Sequence, residues 1–376
     1  MNISQGRRQT VFWGASALTG FPLSAQEQKS DLPVQPAPSA FGQKMNALLR
    51  REPGALAAGL VVSIHQGGQS VYQHQSGWAN VLQAQAVTAD TPFELASVSK
   101  PLTALAILQL MEKGLLSLQE PVTRYLPELP STWSAIDVHC LLSHQSGIPD
   151  VLNEWPKRQL DRLTLEKLLP FFIKNPGLKF APRQRGEYSN TNYVLLAEII
   201  SRVSGQSLDA YWRTHVFEPL GMDSSFNLDG IAQQPKPSAL HYAVGEWIDG
   251  IHYALQGAIG LKSSALDMHR FMRGVMSLQL IAATSYQLMT QVHTTFEDGR
   301  MYGYGWYITR PEIRSLLPWT TGGRALGHTG RLGAFRTAVY FDNQDQWDLV
   351  ILSNGGPSTE ALMVNVLALT RQHFEH

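Results

Sequence analysis

The chain has a single cysteine, Cys140, among 376 residues. One thiol rules out an intrachain disulfide and a cysteine-rich zinc site. An excess of charge is missing too: thirty Lys and Arg balance thirty Asp and Glu. No dense Lys/Arg run occurs, which argues against a nucleic-acid partner held by phosphate neutralisation. The twelve histidines contain no His-Glu-x-x-His pattern. Nothing in their spacing calls for a metal, and no cofactor is expected. No run beyond the N-terminus reaches the roughly 18 apolar residues needed to cross a bilayer, so no transmembrane anchor is expected. What is present, 44% apolar and 16% charged residues, is a globular composition. The length suits one large domain or two intimate ones.

The N-terminus reads as an export signal. Arg7 and Arg8 form a small basic region, Val11 to Leu23 is apolar, and Leu23-Ser24-Ala25 is an acceptable cleavage site before Gln26. Residues 1–25 are therefore expected to be a signal peptide, and the mature protein periplasmic or secreted. The arginine pair hints at twin-arginine export, but Thr10 stands where a large apolar residue is usual, so the route stays open. No cysteine follows the apolar stretch, which excludes a lipid-anchored form. Residues 26–40, rich in Gln, Pro and Ser, read as a flexible lead.

Along the rest, residues 41–376, Phe41 to Arg51 has the pattern of a short helix stopped by Pro53-Gly54. Leu60–His65 and Ser70–Gly77 are strand-like, with Gly67-Gly68 as the turn of a hairpin. Pro101–Lys113 carries helical apolar periodicity and ends at Gly114, and Asn192–Val203 is a helix ended by Gly205. Strand patterns return at Tyr302–Ile308, Ala325–His328, Ala334–Phe341 and Asp348–Leu352, before a final helix from about Thr359 to His373. Strands thus cluster at about 41–90 and 290–376, with helices over about 91–289. The expectation is an α/β (α+β) fold: one antiparallel sheet built from both chain ends, flanking helices, and an inserted, mostly helical region.

Three short motifs carry chemistry. In Ser97-Val98-Ser99-Lys100 the serine and lysine lie one helical turn apart on one face, so the amine reaches the hydroxyl. A serine is a poor nucleophile until something removes its proton, and a helix start favours the developing negative charge. Alone, the motif also fits an exposed helix start, but it is the chain's one Ser-x-x-Lys and it precedes an apolar helix. In Tyr188-Ser189-Asn190 a phenol beside a lysine is expected to have its pKa pulled below ~10. Asn190 offers a donor and an acceptor to a substrate amide. In isolation this motif reads first as a polar turn with Asn190 capping the next helix. In His328-Thr329-Gly330, glycine beside a strand edge lets a substrate backbone approach. The backbone N–H of Arg331 could join that of Ser97 as an oxyanion hole.

Together and in this order, the motifs resemble the serine β-lactamase and penicillin-binding-protein family, whose signature is Ser-x-x-Lys, Tyr/Ser-x-Asn and Lys-or-His-Thr/Ser-Gly. The likeness is to the branch of class C β-lactamases, D-alanyl-D-alanine carboxypeptidases, D-aminopeptidases and related esterases. It extends to Thr91-Pro92-Phe93, Leu141 to Gly147, Val216 to Met222 and Tyr304-Gly305-Trp306, nearly the whole chain after the export signal. The resemblance implies a β-lactamase-like fold. It makes Ser97 the nucleophile, Lys100 its activator, Tyr188 the general base and proton relay, and Asn190 the substrate-orienting amide. His328, Thr329 and Gly330 become the substrate-binding strand edge. It leaves open whether Lys100 or Tyr188 takes the first proton.

The implied activity is hydrolysis of an amide or ester through a Ser97 acyl-enzyme, of the carboxypeptidase/β-lactamase kind. The alternatives are a small-ester esterase and a catalytically silent protein that binds peptidoglycan or β-lactams. The implied partner is a small-molecule or peptide substrate; oligomeric state is not legible. Two departures stand out. His328 replaces the lysine usual in class C enzymes; one of Arg310, Arg314, Arg324 and Arg331 could meet a substrate carboxylate in its place, while most of the four read as exposed loop charges. Phe180-Ala181-Pro182-Arg183 stands where the branch usually has Pro-Gly. His144 and Ser146 read as a structural turn, Cys140 as a buried apolar residue, and Trp155 and Trp247 as loop aromatics.

Overall fold

Glycine punctuates the chain where it reverses. Gly67 and Gly68 take positive φ of 57° and 80° and join strand β1 (Leu60–Gln66) to β2 (Gln69–Ser76), the two-glycine hairpin expected from sequence. The computed structural model describes residues 39–51, 59–154, 165–227, 239, 255–309 and 325–375. The export signal over 1–25, most of the lead, Pro53-Gly54, Trp155, Trp247, Arg310, Arg314 and Arg324 lie outside the described residues.

Ten further strands follow among the described residues. They are β3 (Trp78–Asn80), β4 (Gln85–Ala86), β5 (Phe93–Glu94), β6 (Lys262–Ser263), β7 (Thr294–Thr295), β8 (Met301–Tyr302), β9 (Tyr307–Ile308), β10 (Leu326–Leu332), β11 (Phe335–Asp342) and β12 (Trp347–Ser353). Eight of the twelve form one sheet in the order β2-β1-β12-β11-β10-β9-β8-β7. Its neighbours run antiparallel. Strands from the two ends of the chain meet towards one edge of the sheet, where Leu60 of β1 pairs with Ser353 of β12. Among the described residues, the helices of ten residues or more are α1 (Ala40–Arg50), α2 (Lys100–Glu112), α3 (Leu165–Lys174), α4 (Asn190–Ser204), α5 (Ala265–Met276) and α6 (Glu360–Phe374).

Strand alternation sorts the core into two layers. Leu60, Val62, Ile64, Ala338, Tyr340, Leu349 and Ile351 pack with Phe41 and Met45 of α1 and Leu362, Val366 and Phe374 of α6. Their neighbours Val61, Val339, Phe341, Val350 and Leu352 face the other way, onto the larger core that contains α2, α4 and α5. Both faces are covered, so β11 and β12 are buried along their whole length.

One expected strand divides. Tyr302–Ile308 is β8 and β9 joined by a turn, not a continuous strand. Gly305 has φ +80°, and a Cβ there would stand 2.8 Å from the Cα of Pro101. The Tyr304-Gly305-Trp306 turn therefore presses against the first turn of α2. The apolar pattern of Tyr302–Ile308 fits a single strand because the turn buries Tyr302, Tyr304 and Trp306 as a strand would.

Candidate active site

Ser97 lies on a short 3-10 turn, Ala96–Ser99, that runs directly into α2. Pro101 sits in the first turn of α2, where its missing N–H costs little. Ala96 holds φ +50°, a left-handed conformation that a non-glycine residue keeps only when its surroundings enforce it. Here they do. The Ala96 N–H donates to Glu94 Oε1 at 2.9 Å, and the Ser99 hydroxyl donates to the Ala96 carbonyl at 2.7 Å. The Leu95 N–H donates to the Leu261 carbonyl at 2.9 Å.

Lys100 is fully buried. Its Nζ stands 2.8 Å from Asn190 Oδ1, 2.9 Å from the Ala258 carbonyl and 3.1 Å from Ser97 Oγ. The first two partners only accept. The Asn190 amide is oriented by its own Nδ2, which donates to Asp150 Oδ2 at 2.9 Å. Two N–H bonds of Lys100 are thus fixed, and its third direction faces the Ser97 oxygen. Burial lowers the lysine pKa to about 7, against an opposing pull from the Asp150 carboxylate. Near neutrality the amine is therefore accessible, with its lone pair aimed at the Ser97 hydroxyl.

The Tyr188 ring lies 4.8 Å from Lys100 Nζ, and the Ser97 hydroxyl is near enough to its phenol to pull that group's pKa down. The phenol's pKa is raised well above 10, not lowered as the sequence led us to expect. Burial dominates, the neighbouring Tyr307 adds to it, and the Ser97 hydroxyl only partly opposes it. A lysine whose own charge is destabilised by burial is a weak source of the attraction that expectation needed.

His144 organises this corner. It adopts φ +58°, and its Nδ1 accepts from the Ser189 N–H and Asn192 Nδ2, both at 3.2 Å. Burial holds it neutral, with its pKa well below 6.5. Its ring packs 4.4 Å from that of Tyr188. Ser146 donates to Asn192 Oδ1 at 2.6 Å. The pair acts as the structural turn expected.

The third motif lies on β10, which runs against the Ala96–Ser99 turn. A Cβ at Gly330 would overlap the Leu95 carbonyl oxygen, which also accepts from Thr337 Oγ1 at 2.8 Å. Glycine is required here so that the strand can close on the serine turn. His328 is 2% exposed. Its Nδ1 donates to the Thr329 carbonyl at 2.7 Å, and its Nε2 stands 3.4 Å from the Tyr302 hydroxyl. Burial, then the Lys100 charge, lower its pKa to about 3. A protonated His328 near neutrality, which the side chain's ordinary pKa allowed, is thereby removed. The Arg331 guanidinium bonds Glu360 of α6 at 2.8 Å and is largely exposed. By alternation Thr329 shares that face, while His328 and Gly330 face Ser97.

The structure thus gathers Ser97, Lys100, Tyr188 and Asn190 into one cluster and brings β10 beside it. Asn190 occupies the first turn of α4 but does not cap it; Ser189 holds the capping position. Its amide is engaged on both sides, by Lys100 and Asp150, instead of facing a substrate. Sequence reasoning missed Asp150 and the Ala258 carbonyl. Asp150 was visible only as the last residue of the Ser-Gly-Ile-Pro-Asp run. Gly257 was a usable signal: at φ +83° its absent Cβ would stand 2.6 Å from the Tyr193 carbonyl and from Ala197 Cβ. That close approach to α4 delivers Ala258 to the lysine.

Comparison with known proteins agrees with this geometry. The β-lactamase family model matches residues 46–370. The chain belongs to the β-lactamase family. Among its relatives is penicillin-binding protein 4* of Bacillus subtilis, 29% identical over 78% of this chain and 68% of that protein. Esterase EstB of Burkholderia gladioli is 35% identical over 52% of each chain. The octameric penicillin-binding protein homologue from Pyrococcus abyssi superimposes with a TM-score of 0.75 at 26% identity, covering 88% of this chain and 77% of that one. As a β-lactamase-family member the chain is a serine hydrolase on a mixed α/β fold with a large antiparallel sheet.

Proposed function

We propose that this β-lactamase-family protein hydrolyses an amide or ester through an acyl-enzyme on Ser97, with Lys100 as the first proton acceptor. The observation that carries this reading is the lysine itself: buried, with a pKa of about 7, and held by two obligate acceptors so that its third direction meets Ser97 Oγ at 3.1 Å. The amine takes the serine proton as Oγ attacks the carbonyl carbon. The backbone N–H groups of Ser97 and Arg331 receive the oxyanion. The neutral Tyr188 phenol, beside Ser97, passes a proton to the leaving group, and the lysine proton restores the phenol. Water then cleaves the ester on Ser97 by the reverse relay. Asn190 positions the lysine, and Gly330 admits the substrate backbone beside β10.

His328 favours the esterase form of this activity. A neutral imidazole that bonds its own backbone offers no cation to a carboxylate beside the scissile bond. Uncharged esters and amides are therefore preferred over β-lactams and D-alanyl-D-alanine peptides. The Arg7-Arg8 pair, the apolar stretch and Ser24-Ala25 support export to the periplasm or medium.

Hydrolysis of p-nitrophenyl acetate, a β-lactam and a D-alanyl-D-alanine peptide, each with wild type and Ser97→Ala, tests the reading. Ser97→Ala should abolish turnover and fluorophosphonate labelling while the protein stays folded. Retention of a tenth of wild-type turnover would remove Ser97 as nucleophile.

A further inference from the structure

Three side chains outside the serine site converge at the far end of the β1–β12 pair. His65 of β1 stands opposite Asp348 of β12 in the sheet register. His269 reaches them from α5. The His269 Nδ1 lies 2.9 Å from both Asp348 oxygens, and the His65 Nδ1 lies 3.6 Å from Oδ1. The two imidazoles are stacked, centroids 3.6 Å apart. The carboxylate side chain is 1% exposed and the histidines 6% and 12%. One candidate ligand atom from each residue lies within 4.8 Å of the others.

We propose that His65, His269 and Asp348 form a binding site for a divalent transition-metal ion, zinc foremost. Two imidazole nitrogens and a carboxylate oxygen are a donor set suited to zinc and its first-row neighbours. With bonds of ~2.0–2.2 Å, tetrahedral ligands sit about 3.3 Å apart. The His65–Asp348 spacing of 3.6 Å already matches that; the His269–Asp348 spacing of 2.9 Å needs to open by about 0.4 Å, and the stacked rings, now 23° apart, must turn so that both nitrogens aim at one ion.

A divalent ion held between the rings would neutralise the buried Asp348 carboxylate. Three elements, β1, α5 and β12, supply the three ligands, so the site is fixed by the fold. The nearby Arg273 does not compete for Asp348: its guanidinium bonds Gln346 Oε1 at 3.2 Å. These ligands are far apart in sequence, which is why no spacing motif revealed them. The site shares no residue with the Ser97 cluster, so its metal is structural and stiffens the β1–β12–α5 junction.

The test is equilibrium dialysis of the tag-free mature protein against micromolar Zn2+, with metal counted by mass spectrometry. Visible absorption of the Co2+-loaded protein accompanies it. Wild type should hold one equivalent of zinc and show the intense d–d bands of tetrahedral Co2+. His269→Ala, a change on α5 that leaves the β1–β12 ladder in place, should weaken Zn2+ binding at least tenfold and erase those bands. His65→Ala should do the same. Wild type holding less than a tenth of an equivalent would overturn the proposal, as would His269→Ala binding as tightly as wild type. Because the three ligands share no residue with the Ser97 cluster, ester hydrolysis by His269→Ala should stay within twofold of wild type. Metal binding and the acyl-enzyme reading therefore succeed or fail separately.

Discussion

Lys100 decides the chemistry of single residues here, and its protonation sets a pH profile. Below about 7 the group is an ammonium with no lone pair for the Ser97 proton; above it the amine is the main form. Ester hydrolysis should therefore fall on the acid side of pH 7, approaching tenfold per pH unit well below it. The Asp150 carboxylate raises the lysine pKa. Asp150→Asn should thus move the acid limb of kcat/KM to lower pH, read from full pH profiles of both proteins. An unmoved or upward-shifted limb would detach that limb from Lys100. Tyr188 gives the complementary test. Lys100→Ala and Tyr188→Phe should each cost at least about a thousandfold, and the double variant little more than the worse single one, because both act on one proton path. Additive losses in that cycle would mean two independent steps.

These residues were legible to unequal degrees. Ser97, Lys100 and Tyr188 stood out because motif chemistry is local: serine and lysine one turn apart meet wherever the helix goes. The state of Tyr188 and His328 was not legible, since both depend on burial set by Tyr302, Tyr307 and the strand behind them. A free histidine titrates near neutrality; this one, sealed under aromatic rings, does not. Asp150 and Ala258 were invisible for a related reason. Each acts through a contact made across the fold, and Ala258 through its backbone, which carries no side-chain signature.

At the scale of elements, the site depends on close approaches that glycine permits. Gly305 presses the β8–β9 turn on α2, Gly257 brings Ala258 to Lys100, and Gly330 seats β10 against the serine turn. The hairpin and helix ends were readable from glycine punctuation alone, as Gly67, Gly68, Gly114 and Gly205 all take positive φ. Gly330 differs, being required for space within a strand. Gly330→Ala should push β10 from Leu95 and cost about 1–3 kcal/mol of stability. A displacement near 1 Å at the oxyanion position should lower kcat/KM by ~10²-fold. The two are separable by urea unfolding and ester kinetics on the same sample. Full activity in a folded variant would show that β10 does not have to sit this close.

At the scale of the molecule, the sheet divides labour between its faces. The Ser97 cluster and α2, α4 and α5 occupy one side, while α1 and α6, from opposite ends of the chain, seal the other. Their joint is aromatic: Phe41 stacks on His373 at 4.4 Å and meets Phe374 edge-on at 5.5 Å, with Trp347 of β12 6.4 Å from Phe374. This layer covers Leu60, Val62, Ile64, Leu349 and Ile351, so it holds the β1–β12 pairing on which the sheet closes. Phe374 is 4% exposed, and truncating a buried phenylalanine typically costs about 3–5 kcal/mol. Phe374→Ala should therefore lower the free energy of unfolding by that amount, measured by equilibrium urea denaturation. It should leave kcat/KM for an ester within about twofold of wild type at a temperature where both are folded, because no residue of the Ser97 cluster lies on that face. A large fall in kcat/KM without loss of stability would mean that the two faces are coupled through the sheet, and that the α1–α6 layer takes part in setting the site.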